Sequence, residues 1–206
     1  MTNLTRALEA MFTIGVAGLL WVLASFPIVT LGPATAALAT VMAEWDENGP
    51  PPVWSTFWSG FRRHFRQSLW LGLLATIAIL LLSVDLAYGL RAEDAPMRAV
   101  VLIAAIVGTL AVGGTLTFAF PVMISYPGPW RRTLRNAALF AAAYPLTTIT
   151  GLIGLGVASV SVMIVPAVLP VVAGVEAWLV SRLTRRVFAR FLARQEAAQA
   201  KTVPVV

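Results

Sequence analysis

The chain has no cysteine, one histidine (His64) and one lysine (Lys201) in 206 residues. The absence of cysteine excludes a disulfide framework and any thiolate metal site. A single histidine excludes multi-histidine zinc sites and leaves one candidate for a catalytic imidazole. Charge is scarce as well, at 12% of the residues against 59% apolar ones. Too little polar surface remains to clothe a soluble domain of this length. Strict apolar–polar alternation is missing too, which argues against a transmembrane β-barrel.

What the chain does have is long uncharged runs. None of the 34 residues between Glu9 and Glu44 is charged, nor is any of the 40 from Asn136 to Val175. The reading is an all-α polytopic transmembrane helical bundle, with a broken or hairpin first element and an interfacial amphipathic helix. A helix of 34 residues would reach roughly 50 Å, well beyond a hydrocarbon core of about 30 Å. Pro27, Gly32 and Pro33 therefore mark a break, with helices over about 7–26 and 33–44. Thr30 and Gly32 serve as caps, and Pro33 sits at the first helical position. Freed backbone groups at that depth need partners, so the turn is expected to face other helices.

The segment from Glu44 to Pro52 is aqueous and ends in three prolines. Residues 53–67 then read as an interfacial helix, with Trp54, Phe57, Trp58, Phe61 and Phe65 at helical spacing and Arg62, Arg63 and Arg66 directed mainly elsewhere. Interleaved aromatic and basic residues also suit single-stranded nucleic acid. Their place beside a membrane span assigns them to lipid instead, and no nucleic-acid partner is expected. His64 belongs to the same interface. Further segments are expected over about 68–88, 99–125, 136–158 and 164–181, with the last turn near Ser159–Pro166. Trp130, Arg131 and Arg132 mark another lipid interface. Residues 1–194 form one membrane domain, and 195–206 a disordered cytoplasmic tail.

Twelve of the 15 basic residues fall on one side: Arg62, Arg63, Arg66, Arg131, Arg132, Arg135 and the six from Arg182 to Lys201. The positive-inside rule makes that side cytoplasmic, including the C-terminus. A hairpin at the break gives six segments, and a single kinked passage gives five. No cleavable signal peptide is expected, because the first apolar run lacks a basic leader.

Chemistry is sparse. No phosphate-binding loop, HExxH or nucleotide-binding glycine pattern occurs, so no catalytic residue, cofactor or metal is expected. Asp85 and Glu176 are the two acids set within apolar segments. Such acids mark proton or ion pathways, or make a structural hydrogen bond.

The blocks from Phe26 to Leu38, Thr56-Phe57-Trp58 with Phe65-Arg66-Gln67-Ser68 and Leu71-Gly72-Leu73, and Arg135-Asn136-Ala137 with Tyr144-Pro145-Leu146-Thr147 resemble the YesL-like family of bacterial integral membrane proteins, defined as a domain of unknown function. That resemblance implies residence in a bacterial cell membrane. It also implies a non-enzymatic accessory role in carbohydrate uptake or sensing, with a sugar ABC-transporter permease or a membrane sensor as partner. The alternative from the residues is a small-solute or ion-coupled transporter. Neither a substrate nor an oligomeric state is legible.

Overall fold

The computed structural model describes residues 3–45 and 49–202, and among them every regular element is helical. The helices are α1 (Asn3–Ala24), α2 (Leu31–Ala43), α3 (Val53–Arg91), α4 (Ala95–Ser125), α5 (Trp130–Ala143), α6 (Pro145–Ile164) and α7 (Leu169–Thr202), with 3-10 turns at Ile28–Thr30 and Pro166–Val168. The all-α membrane bundle read from composition is the observed architecture.

Two helices, α3 and α4, are each long and apolar enough to cross a bilayer. A third passage would have to join Trp130–Ala143 to Pro145–Val157, two helices bent by 103°. The bend follows from Pro145. A proline disfavours the α region for its predecessor, and Tyr144 takes φ −127°, ψ 64°. Thr148 donates to the carbonyls of Ala141 (3.0 Å) and Tyr144 (3.2 Å), which ties the elbow together. The stretch expected as one segment over about 136–158 is thus divided between α5 and α6.

The boundary expected at residues 67 and 68 does not exist. The interfacial stretch 53–67 and the span 68–88 form one helix of 39 residues, about 58 Å long. No proline or helix-breaking pair lies inside it, so propagation continues once the helix has started at Pro52. Likewise, α7 remains helical to Thr202, where a disordered tail from Gln195 was expected. The Glu-Ala-Ala-Gln-Ala-Lys composition there is strongly helix-forming. Residues 203–206 lie outside the described residues.

Small residues set the helix crossings. A methyl group on Gly32 (α2) would strike the Ser68 carbonyl of α3, and one on Gly72 would lie 2.9 Å from the Gly32 Cα. Further along the same pair, a methyl on Gly60 would lie 2.7 Å from the Thr40 Oγ1. These contacts run α2 antiparallel to the first half of α3. In α1 and α7, Gly18 meets the Pro170 carbonyl and Gly174 meets that of Ile14, so these two helices are antiparallel as well. Lipid-embedded and core helices both use glycine in this way, because backbones can then touch.

One core joins Ala17 and Leu20 of α1, Ala37, Leu38, Val41 and Met42 of α2, and Phe57 of α3. A second joins Phe118, Ala119 and Val122 of α4, Ala137 of α5, and Val187 and Phe188 of α7. In it, Phe140 stacks on Phe118 (6.1 Å) and meets Phe188 edge-on (5.3 Å). α2 is buried on most of its circumference, from Gly32 to Met42. At 13 residues it is about 20 Å long, too short to span by itself.

Candidate functional site

The break between α1 and α2 is built from its own side chains. Thr30 does not cap α2 through its hydroxyl. That hydroxyl instead lies 2.6 Å from the Ala24 carbonyl and 2.6 Å from that of Pro27, bridging the end of α1 and the turn. α2 starts at Leu31, which places Pro33 third in the helix and not first. It remains in the first turn, where a missing N–H costs nothing. Trp21 donates to Thr35 Oγ1 (3.1 Å), folding α1 back on α2. Gly32 and Pro33 are buried, but the apex is not: Phe26 is 91% exposed, Ile28 76% and Val29 71%. The expectation that this turn faces other helices is therefore corrected. Part of its backbone is paired locally, through the Ser25, Phe26 and Thr30 amides and the Ala24 and Pro27 carbonyls.

The opposite end of α2 is held by α7. Arg185 donates to the carbonyls of Trp45 (2.6 Å) and Met42 (3.1 Å), and Ser181 donates to Met42 (3.1 Å). The last carbonyls of a helix lack partners and carry partial negative charge, so a guanidinium there is favourable. Burial, then the neighbouring Arg182, lowers the Arg185 pKa from its ordinary value. Arg182 itself lies 4.4 Å over the Trp178 ring. Sequence reading assigned the α7 arginines only to topology. The signal that could have singled out Arg185 is Ser181, one helical turn before it on the same face.

The two embedded acids have different settings. Asp85 is exposed on α3, amid exposed Leu81, Val84, Leu86 and Tyr88. Glu176 is half-buried where α7 crosses α6. Its carboxylate lies over Gly154, whose added methyl would meet Cδ at 2.9 Å. The structure does not bring the two acids together. Asp85 belongs to the α3–α4 hairpin and Glu176 to the α6–α7 one.

Trp54 and Trp58 meet edge-on (6.0 Å), and Phe61 and Phe65 continue the ladder along α3. Trp54, Ser55, Trp58, Ser59 and Arg62 line a shallow open groove. Arg62, Arg63 and Arg66 are exposed. On α5, Arg131 and Arg132 are exposed and Arg131 lies 5.3 Å from the Trp130 ring. Thr133 is buried and accepts from Gln67 (2.9 Å), which sets the two basic patches side by side.

With this geometry, the relatives become informative. Residues 14–86, which contain the break, α2 and most of α3, match the family described as Protein of unknown function, DUF624. The YesL-like resemblance holds. The chain is 29% identical over 139 residues to the uncharacterized protein YesV of Bacillus subtilis (strain 168), covering 67% of this chain and 66% of that one. It is 31% identical over 134 residues to the uncharacterized protein YesL of the same organism, covering 63% and 62%. The matched part thus spans just under two thirds of each of these relatives. No solved structure matches the chain. The family match falls on the most tightly packed elements, α2 and α3, where Gly32 and Gly72 make backbone contact.

Proposed function

We propose that this YesL-like protein is a non-enzymatic accessory to carbohydrate uptake or sensing in a bacterial cell membrane, seated beside a sugar ABC-transporter permease or a membrane sensor. The carbohydrate context comes from the family resemblance. The structural observation that supports a membrane partner is Asp85, a carboxylate exposed in the apolar outer half of α3, six residues before the helix ends. An acid there, about 9 Å inside the helix end, is best accommodated by reaching interfacial water or by a basic residue of a neighbouring helix. A permease helix supplies the second.

The test is site-specific photo-crosslinking from Leu81, which is exposed on the same stretch. Adducts with a permease that weaken in Asp85→Asn support the reading. Adducts with lipid alone count against it.

Glu176 supports a second reading, ion-coupled transport of a small solute. A carboxylate packed at a helix crossing beside a glycine can carry protons, provided that water reaches it. Solute flux by the isolated protein in liposomes, lost in Glu176→Gln and regained in Glu176→Asp, would favour transport over the accessory role.

A further inference from the structure

We propose that the α1–α2 pair does not cross the bilayer: it is a re-entrant wedge whose tip, Phe26-Pro27-Ile28-Val29, lies among the acyl chains of the leaflet next to the basic residues.

The height of the tip is read from α3. Gly32 lies against Ser68 and Gly72, and Thr40 against Gly60, so α2 descends alongside the first half of α3. The apex therefore sits level with Gly72 or just beyond it. From there α3 continues for 19 residues to Arg91, about 28 Å, close to a full hydrocarbon thickness. That outer half, with the facing part of α4, is exposed and apolar, as at Leu80, Leu81, Ile103 and Val107.

Charge bounds this slab at both ends. Arg91, Glu93, Asp94 and Arg98 lie at the far loop. Arg62, Arg63 and Arg66 lie at the near end, and the Gln67–Thr133 bond brings the α5 arginines to the same level. Arginines that flank an apolar stretch place their guanidinium groups at the lipid headgroups. The near boundary of the hydrocarbon is thus close to Ser68, and the tip of the wedge lies only a little inside it. The apolar character of α2 has a different cause, because its side chains are buried in protein.

The tip itself is made for hydrocarbon. Phe26, Ile28 and Val29 are exposed. Ser25 N donates to Trp21 and Val22, Phe26 N to Leu23, and Thr30 N to Pro27, while Pro27 has no N–H. The Thr30 hydroxyl serves the carbonyls of Ala24 and Pro27. The Ile28 and Val29 amides have no partner within the turn, and a tip only a little inside the boundary keeps them within reach of headgroups and interfacial water.

The test uses the absence of native cysteine. Single cysteines at Ile28, Leu80 and Glu93, all at exposed positions, are spin-labelled in phosphatidylcholine–phosphatidylglycerol liposomes. Collision rates with oxygen and with a water-soluble nickel chelate are then compared. The label at Ile28 is expected to collide with nickel several-fold less than that at Glu93, with an oxygen-to-nickel ratio between those of Glu93 and Leu80. In a double-labelled protein, the distance from Ile28 to Glu93 is expected to be about 30 Å. Nickel access equal to that of Glu93 would place the tip in water, and a ratio equal to that of Leu80 would place it at the midplane. Shelter from both reagents would mean a protein cover, and a separation under about 15 Å would place the tip at the far leaflet. Each of these four results overturns the proposal.

Discussion

Gly32 and Gly72 face each other without side chains, so that a Cβ on Gly72 would lie 2.9 Å from the Gly32 Cα. The backbone of α2 thereby rests directly on α3. A methyl at either position must push two helices apart, and neither neighbour is a flexible side-chain end. Gly72→Ala is expected to destabilise the protein by about 1–3 kcal/mol through overpacking. Gly15 has nothing within 4 Å of an added methyl, so Gly15→Ala is neutral or stabilising by up to about 1 kcal/mol. Thermal unfolding in detergent compares the two, and equal losses would contradict the contact.

Arg185 holds the C-terminal end of α2 through the Trp45 and Met42 carbonyls. Arg185→Gln removes the forked cation and is expected to cost about 1 kcal/mol, because the site is partly open to solvent. Hydrogen–deuterium exchange should then quicken at the last turn of α2, including the Glu44 amide bonded to Thr40. Unchanged exchange there would show that the cap contributes nothing.

Trp58 is flanked edge-on by Phe57 (5.8 Å) and Phe61 (5.4 Å), whereas Ser59 is exposed on the same helix. Trp58→Glu places a charge within that aromatic ladder and is expected to lower the membrane-folded yield several-fold, with Ser59→Glu milder. Equal yields would argue against the assigned face.

Glu176 and Gly154 share one space at the α6–α7 crossing. Gly154→Ala is expected to destabilise the hairpin, and combining it with Glu176→Ala should recover part of the loss. A double-mutant cycle measures this coupling. Strict additivity would mean that the two residues do not meet.

Helix class and the position of the break were legible because charge and proline punctuate the chain so sparsely. Pro27 located the turn, with Gly32 and Pro33 falling in the first turn of α2, and the uncharged runs located the apolar helices. Burial was not legible in the same way. Composition does not separate a helix that is apolar because it faces lipid, such as the outer half of α3, from one that is apolar because protein surrounds it, such as α2. The elbow at Tyr144 was written in Pro145 but hidden by the length of the uncharged run around it. The two carbonyl contacts of Arg185 depend on tertiary placement across about 140 residues, as the separation from Trp45 shows. Ser181 on the same face marks Arg185 as a donor position, but no local pattern names the carbonyls that it reaches.

The helices α3 and α4 are long and apolar enough to cross the bilayer, and we propose that they do so with the basic patches of α3, α5 and α7 on the cytoplasmic side. Single cysteines at Ser59, Pro127 and Glu93, all exposed, test it most directly through labelling with a membrane-impermeant maleimide in intact and permeabilised cells. Thr133 is unsuitable because it is buried against Gln67. Glu93 is expected to label in intact cells, and Ser59 and Pro127 only after permeabilisation. Labelling of Glu93 from the same side as Ser59 would contradict the crossing, and labelling of Ser59 and Pro127 from outside would reverse the orientation.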